Sequence, residues 1–146
     1  MSSQWLCGVL VLLAVSYGVY GQGLGEEEKE EILNAHNHYR GLVDPIATNM
    51  MKMEWDEDLA YLAQFWASAC EYAENEDRNT QSTSYDYIGE SFAATISYTV
   101  NYTQLIGQLW YAEKRFYNYY ATACLNEDGE VEEDGGYETC GRYTQV

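Results

Sequence analysis

Glu113 is the residue best placed to do chemistry, because it lies on an apolar stripe. Ile106, Leu109, Trp110, Phe116, Tyr117 and Tyr120 recur at helical spacing, and Glu113 falls three residues after Trp110 and four before Tyr117. A carboxylate among such neighbours must meet a partner, open into a cleft or lose its charge. His36 and His38 are the only imidazoles in the chain. They stand two apart on a segment with helical spacing and so point in different directions, which weakens a metal role for His36. No serine sits in a nucleophile-elbow context. The acidic loop 126–134 is not a calcium EF-hand, since position 12 counted from Glu130 is Gly141 rather than glutamate. Asn101-Tyr102-Thr103 is an N-glycosylation sequon just before the third helical segment.

The elements that must position these groups are mostly helical. Glu26 to Arg40 reads as a helix, with acids in its first turn and Ile32, His36, Tyr39 and Val43 at helical spacing. Asp44-Pro45 begins an extended loop that runs to Trp55. Asp56 is a good N-cap for a second helix, with Leu59, Leu62, Ala63, Trp66, Ala69, Cys70 and Ala73 on one face. Residues 74–86 are polar and loop-like, and Tyr87 to Phe92 is a short strand candidate. Thr103 can cap the third helix. Arg142 to Val146 is strand-like through its β-branched and aromatic residues. No repeat and no second domain stand out. This order suggests a layered domain of helices and sheet.

With 146 residues there is room for one domain. Trp5 to Val19 is uncharged and mostly apolar, and Val19 and Gly21 stand where a signal peptidase reads small residues, so 1–21 is expected to be a cleaved secretory signal. Ser16, Tyr17 and Gly18 interrupt the run before the roughly 20 apolar residues of a membrane helix, so no transmembrane segment is expected in the mature chain. A net charge of −17 makes nucleic acid and anionic membrane surfaces poor partners. The acidic runs, including the N-terminal segment 22–30, read as solvated. Four cysteines become three once Cys7 leaves with the signal. In an oxidising compartment the odd count means a free thiol, an intermolecular bond or a missing partner, and an end inside a strand-like run favours the last.

Six separated motifs then occur in one order. They are His36-Asn37-x-x-Arg40, Met53-x-Trp55-Asp56-x-x-Leu59-Ala60, Trp66-Ala67-x-x-Cys70, Gly89-Glu90-Ser91, Trp110-x-x-Glu113 and Cys140-Gly141-Arg142-Tyr143-Thr144-Gln145-Val146. Together they resemble the CAP superfamily, which groups cysteine-rich secretory, antigen 5 and pathogenesis-related proteins. Residues 31–146 correspond to its domain, cut off inside the last motif. The loop from Val43 to Met50 and the Cys124–Cys140 spacing lean towards the glioma pathogenesis-related branch.

The resemblance implies an α+β fold, a three-layer α-β-α sandwich whose sheet is incomplete in this chain. It implies a cleft tetrad of two histidines and two glutamates able to hold a divalent metal. Both glutamates carry over as Glu90 and Glu113. The histidine positions hold Glu74 and Arg142, so the expectation is a cleft cluster of Glu74, Glu90, Glu113 and Arg142 with no metal and no cofactor. A guanidinium cannot coordinate zinc, and its donors suit carboxylates. The alternative is that Glu74 and Arg142 are exposed and never meet. The resemblance also implies a Cys70–Cys140 disulfide, with Cys124 left without an intrachain partner, and a packing or hydrogen-bonding role for His36.

The resulting expectation is a secreted, extracellular binding or signalling module without catalytic residues. Its partner would be an extracellular protein or a lipid or sterol ligand. The alternative is a protease-like hydrolase using the Glu90/Glu113 carboxylate pair, a site lacking an imidazole base or metal-activated water.

Overall fold

The computed structural model describes residues 23–97, 99–132 and 137–145. The expected signal at 1–21 lies outside the described residues, as does Val146. Helix α1 spans Glu26–Arg40, as its periodicity predicts. Glu26, Glu27 and Glu28 occupy its positive end, and the Glu28 carboxylate reaches back to accept from the Gly25 amide at 2.8 Å. From its last turns, Asn37 exchanges two hydrogen bonds with the Met53 backbone and Arg40 donates to the Met51 carbonyl. These side chains clip the loop after Asp44-Pro45, so that the chain enters α2 (Glu57–Ala67) against α1. Asp56 caps α2, accepting from the Leu59 amide at 2.9 Å.

The third helical segment begins as α3 (Tyr102–Leu105), widens into a π turn at Ile106–Trp110 and tightens into 3-10 geometry over Tyr111–Phe116. Its cap is Asn101, whose Oδ1 accepts from the Gln104 amide at 2.7 Å, rather than the expected Thr103. Thr103 instead donates from its amide and hydroxyl to Glu31 of α1. Ile106 and Ala35 form the buried centre of this contact, with Ile32, Tyr39, Leu105 and Trp110 packed around them. Full burial of an isoleucine such as Ile106 is worth about 2 kcal/mol. Gly107 lies under the Tyr39 phenol, and a Cβ there would sit 2.6 Å from the ring's Cζ. Leu109, expected on the apolar stripe, falls within the π turn, where the helical spacing is broken, and is 52% exposed.

The segment ends at Phe116, short of the expected Tyr120, and leads into a small antiparallel hairpin. Strand β1 (Tyr117–Asn118) pairs with β2 (Ala123–Cys124). The Asn118 carboxamide accepts from the amides of Tyr120 and Ala121 and so folds the turn. Asn126 does the same for the acidic loop, accepting from Asp128 and Glu130.

The chain is therefore a mixture of helices with few strands, of the α+β kind. The two strands expected elsewhere are corrections. Tyr87 to Phe92 forms no strand, because the Ile88 amide donates to the Asn79 carboxamide and its carbonyl accepts from Arg78. Tyr143–Gln145 is a 3-10 turn, because the Tyr143 amide is already committed to a carboxylate and Thr144 donates back to Gly141. β-propensity yields to such local partners.

Helix α2 contains no buried residue. Its apolar face, with Leu59, Leu62 and Trp66, lines a groove of about 800 Å³ opposite Ile32, Tyr102 and Ile106. No helix among the described residues is long and apolar enough to cross a membrane.

Candidate functional site

Glu113, on the 3-10 part of the third segment, is met by the last described turn of the chain. One carboxylate oxygen accepts from the Arg142 guanidinium at 2.8 Å, and the other accepts from the amides of Arg142 and Tyr143 at 3.0 and 3.2 Å. The acid side chain is 12% exposed and the arginine 22%. An acid on an apolar stripe thus resolves its burial with a guanidinium and two backbone donors.

Glu74 and Glu90 gather around a different cation. The Arg78 guanidinium lies 3.5 Å from Glu74 and 3.7 Å from Glu90, while also donating to the carbonyls of Asn75 and Ile88. Glu90 accepts from the Asn75 amide at 2.9 Å. Asn75 is itself buried, donating from its side chain to Gln81 and accepting from the Asp77 amide. The four residues expected in one cleft therefore form two neighbouring Arg–Glu clusters. The Phe92 ring, two residues beyond Glu90 in the chain, lies with its centroid 5.9 Å from the Arg142 guanidinium carbon. Glu74 is partly buried at this site.

Arg78 and Asn75 escaped the sequence reading. The available signal was a lone cation in the stretch Glu71 to Asp86, otherwise rich in acids. A single guanidinium there has several carboxylates to choose from, and folding the loop around it relieves their repulsion.

His36 packs on α1 with its Nδ1 2.8 Å from the Ile32 carbonyl and its ring centroid 5.8 Å from that of Trp110. Burial holds its pKa below the usual histidine value. Among the described residues no three His, Cys, Asp or Glu side chains converge as ligands for a metal ion. The donor set does not suit a divalent metal, because guanidinium cations already sit against Glu74, Glu90 and Glu113. What the arrangement can do is hold loop 74–90 beside the groove and tie the 142–143 turn to Glu113.

The cysteine expectation is overturned. Cys124 bonds Cys140, with Cα atoms 5.6 Å apart, and Cys70 is a free, exposed thiol. The hairpin carries Cys124 back onto the buried Cys140. Helix α2, in contrast, stops at Ala67, and Cys70 takes a left-handed conformation at φ 55° as the chain turns away.

Residues 33–146 match the profile of the cysteine-rich secretory protein family, CAP. The chain belongs to that family. It is 34% identical to peptidase inhibitor 16 of Bos taurus over 137 residues, covering 94% of this chain and 25% of that protein. It is 30% identical to GLIPR1-like protein 1 of Homo sapiens, covering 99% of this chain and 55% of that protein. It is 33% identical to venom allergen 5 of Vespa magnifica, covering 88% of this chain and 57% of the relative. No solved structure matches. The chain thus spans between about a quarter and just over half the length of these curated relatives. In this chain Asn37, Arg40, Asp56 and Glu113 have the concrete tasks described above, clipping a loop, capping a helix and anchoring a turn.

Proposed function

We propose that this CAP-family chain is a secreted, extracellular binding or signalling module that works without catalysis. The observation that carries this reading is the engagement of both site glutamates: Glu113 by Arg142 and two amides, and Glu90 by Arg78 and Asn75. A carboxylate held by a permanent cation is poorly placed as a general base or metal ligand. No imidazole joins these contacts. The leader-like pattern before Gln22, the Cys124–Cys140 disulfide and the family's secretory character support secretion. The name of the peptidase inhibitor 16 relative also suits a protein that acts by binding. The partner class is an extracellular protein or a lipid or sterol.

The finer architecture we propose is the three-layer α-β-α sandwich. Support comes from the groove of about 800 Å³ between α2 and the α1–third segment pair, whose apolar walls suit a sheet between two helical layers.

Zinc titration by calorimetry tests the non-catalytic reading. The expected result is no tight site. Tight zinc binding that disappears with Glu113→Gln would replace this reading with the hydrolase built on Glu90 and Glu113. N-terminal sequencing of secreted protein should begin at Gln22, and a start at Met1 would remove the leader.

A further inference from the structure

A second cavity, of about 490 Å³, opens beside the later turns of the third segment. It is walled by tyrosines, including Tyr111, Tyr117 and Tyr143, and by the loop around Pro45. Its charge is anomalous for this chain. Of seven Lys and Arg in a protein of net charge −17, three line this one cavity: Arg40, Lys114 and Arg115. Among the described residues, Asp44 is the only acid on its lining.

Of the four cations outside this cavity, three show what a positive charge ordinarily meets here, while Lys52 takes no carboxylate partner among the described residues. Lys29, Arg78 and Arg142 each pair with one or two carboxylates. Among the described residues Lys114 and Arg115 take no carboxylate partner, although the chain has 24 acids. Lys114 is oriented by neutral aromatic groups instead. Its Nζ donates to the Tyr111 hydroxyl at 2.9 Å and lies 4.4 Å from that ring's centroid. The Tyr111 hydroxyl in turn bonds the Leu42 carbonyl at 2.9 Å, which fixes the ring, and Tyr39 stacks on it at 4.7 Å. An ammonium has three donors, and this arrangement spends one. Arg115 lies over the Phe116 ring at 4.5 Å, again without a carboxylate.

We infer that this cavity is a binding site for a small organic anion with an aromatic body. The anionic head would meet Lys114 and Arg115, and the ring would lie against the tyrosine wall, whose faces and edges favour aromatic partners. The volume falls in the range of small-molecule sites, and a lone inorganic oxyanion would leave most of it unfilled. At physiological ionic strength the distant acids are screened beyond about 8 Å, so the local cations set the potential in the cavity. This inference stands apart from the binding-module reading, since it concerns Lys114 and Arg115 rather than the site glutamates, although Glu113 holds the Tyr143 part of the wall in place.

The test uses the intact protein with 8-anilinonaphthalene-1-sulfonate, read by fluorescence and calorimetry. Its uncharged parent, N-phenyl-1-naphthylamine, serves as the control. The sulfonate should bind one-to-one and at least tenfold more tightly than the parent. Lys114→Gln with Arg115→Gln should weaken the sulfonate at least tenfold and leave the parent unchanged. Lys114→Arg, which keeps the charge, should hold affinity within about threefold. Equal affinity for the two probes would overturn the inference. So would sulfonate binding that ignores the double variant but is lost with Trp66→Ala, because the probe would then occupy the apolar groove beside α2. Absence of any sulfonate binding overturns it too.

Discussion

Replacing Glu113 with alanine should destabilise the protein more than replacing Arg142, the residue that forms its ion pair. Glu113 serves three donors at once: the Arg142 guanidinium and the amides of Arg142 and Tyr143. Hydrogen bonds to a charged group contribute about 1.5–3 kcal/mol each, and the low end applies where water can replace the lost acceptor. With the acid 12% exposed and the arginine 22%, three such bonds at the low end put the cost of Glu113→Ala at about 4.5 kcal/mol. Arg142→Ala leaves both amides on the carboxylate. Its cost should fall between that of an exposed pair and that of a broken buried one, about 1.5 kcal/mol. Urea denaturation with an unchanged m-value reads both numbers, and the double variant measures their coupling. If Arg142→Ala costs as much as Glu113→Ala, the ion pair rather than the backbone anchors the turn, and the argument fails.

Non-reducing peptide mapping should return Cys124 linked to Cys140, and Cys140→Ala should cost about 3 kcal/mol for a closed loop spanning 16 residues. A Cys70–Cys140 peptide would refute this pairing. His36 has a folded pKa lowered by burial, so its contribution to stability is complete above the unfolded value of 6.5 and is lost as pH falls through the folded one. The natural protein should therefore lose stability relative to His36→Gln as pH falls below the unfolded value of 6.5; an equal slope for both would exclude this. Asn101 is exposed and caps α3 through Oδ1, a geometry that leaves Nδ2 for a glycan. Expression in a eukaryotic secretory host should give a glycosidase-sensitive mass shift that Asn101→Gln abolishes.

Helix α1 and the start of α2 were legible because periodicity and capping residues act locally, over a few turns. Asp56 announces its helix whatever surrounds it. The burial of Glu113 was legible for the same reason, since an acid on an apolar stripe has few outcomes. The strands were not. Tyr143 and Ile88 have strand-like character, but what decides their conformation is a partner far along the chain or a neighbouring side chain that captures the backbone amide first. The hairpin at Tyr117 and Cys124 rests on Asn118 folding its own turn, a signal present but masked by the apparent continuation of a helical stripe to Tyr120. Arg78 illustrates the same limit. Its role depends on Glu74, Glu90 and two carbonyls meeting in space.

The absent side chain at residue 107 carries an implication for how sequences of this kind can diverge. Because the Tyr39 ring occupies the space a methyl group would need, the two positions cannot drift independently. An alanine at 107 requires the end of the Tyr39 side chain to move aside, and that shift would disturb its stacking on Tyr111, whose hydroxyl orients Lys114. Divergent descendants with a larger residue at 107 should therefore carry a compensating change at or beside position 39.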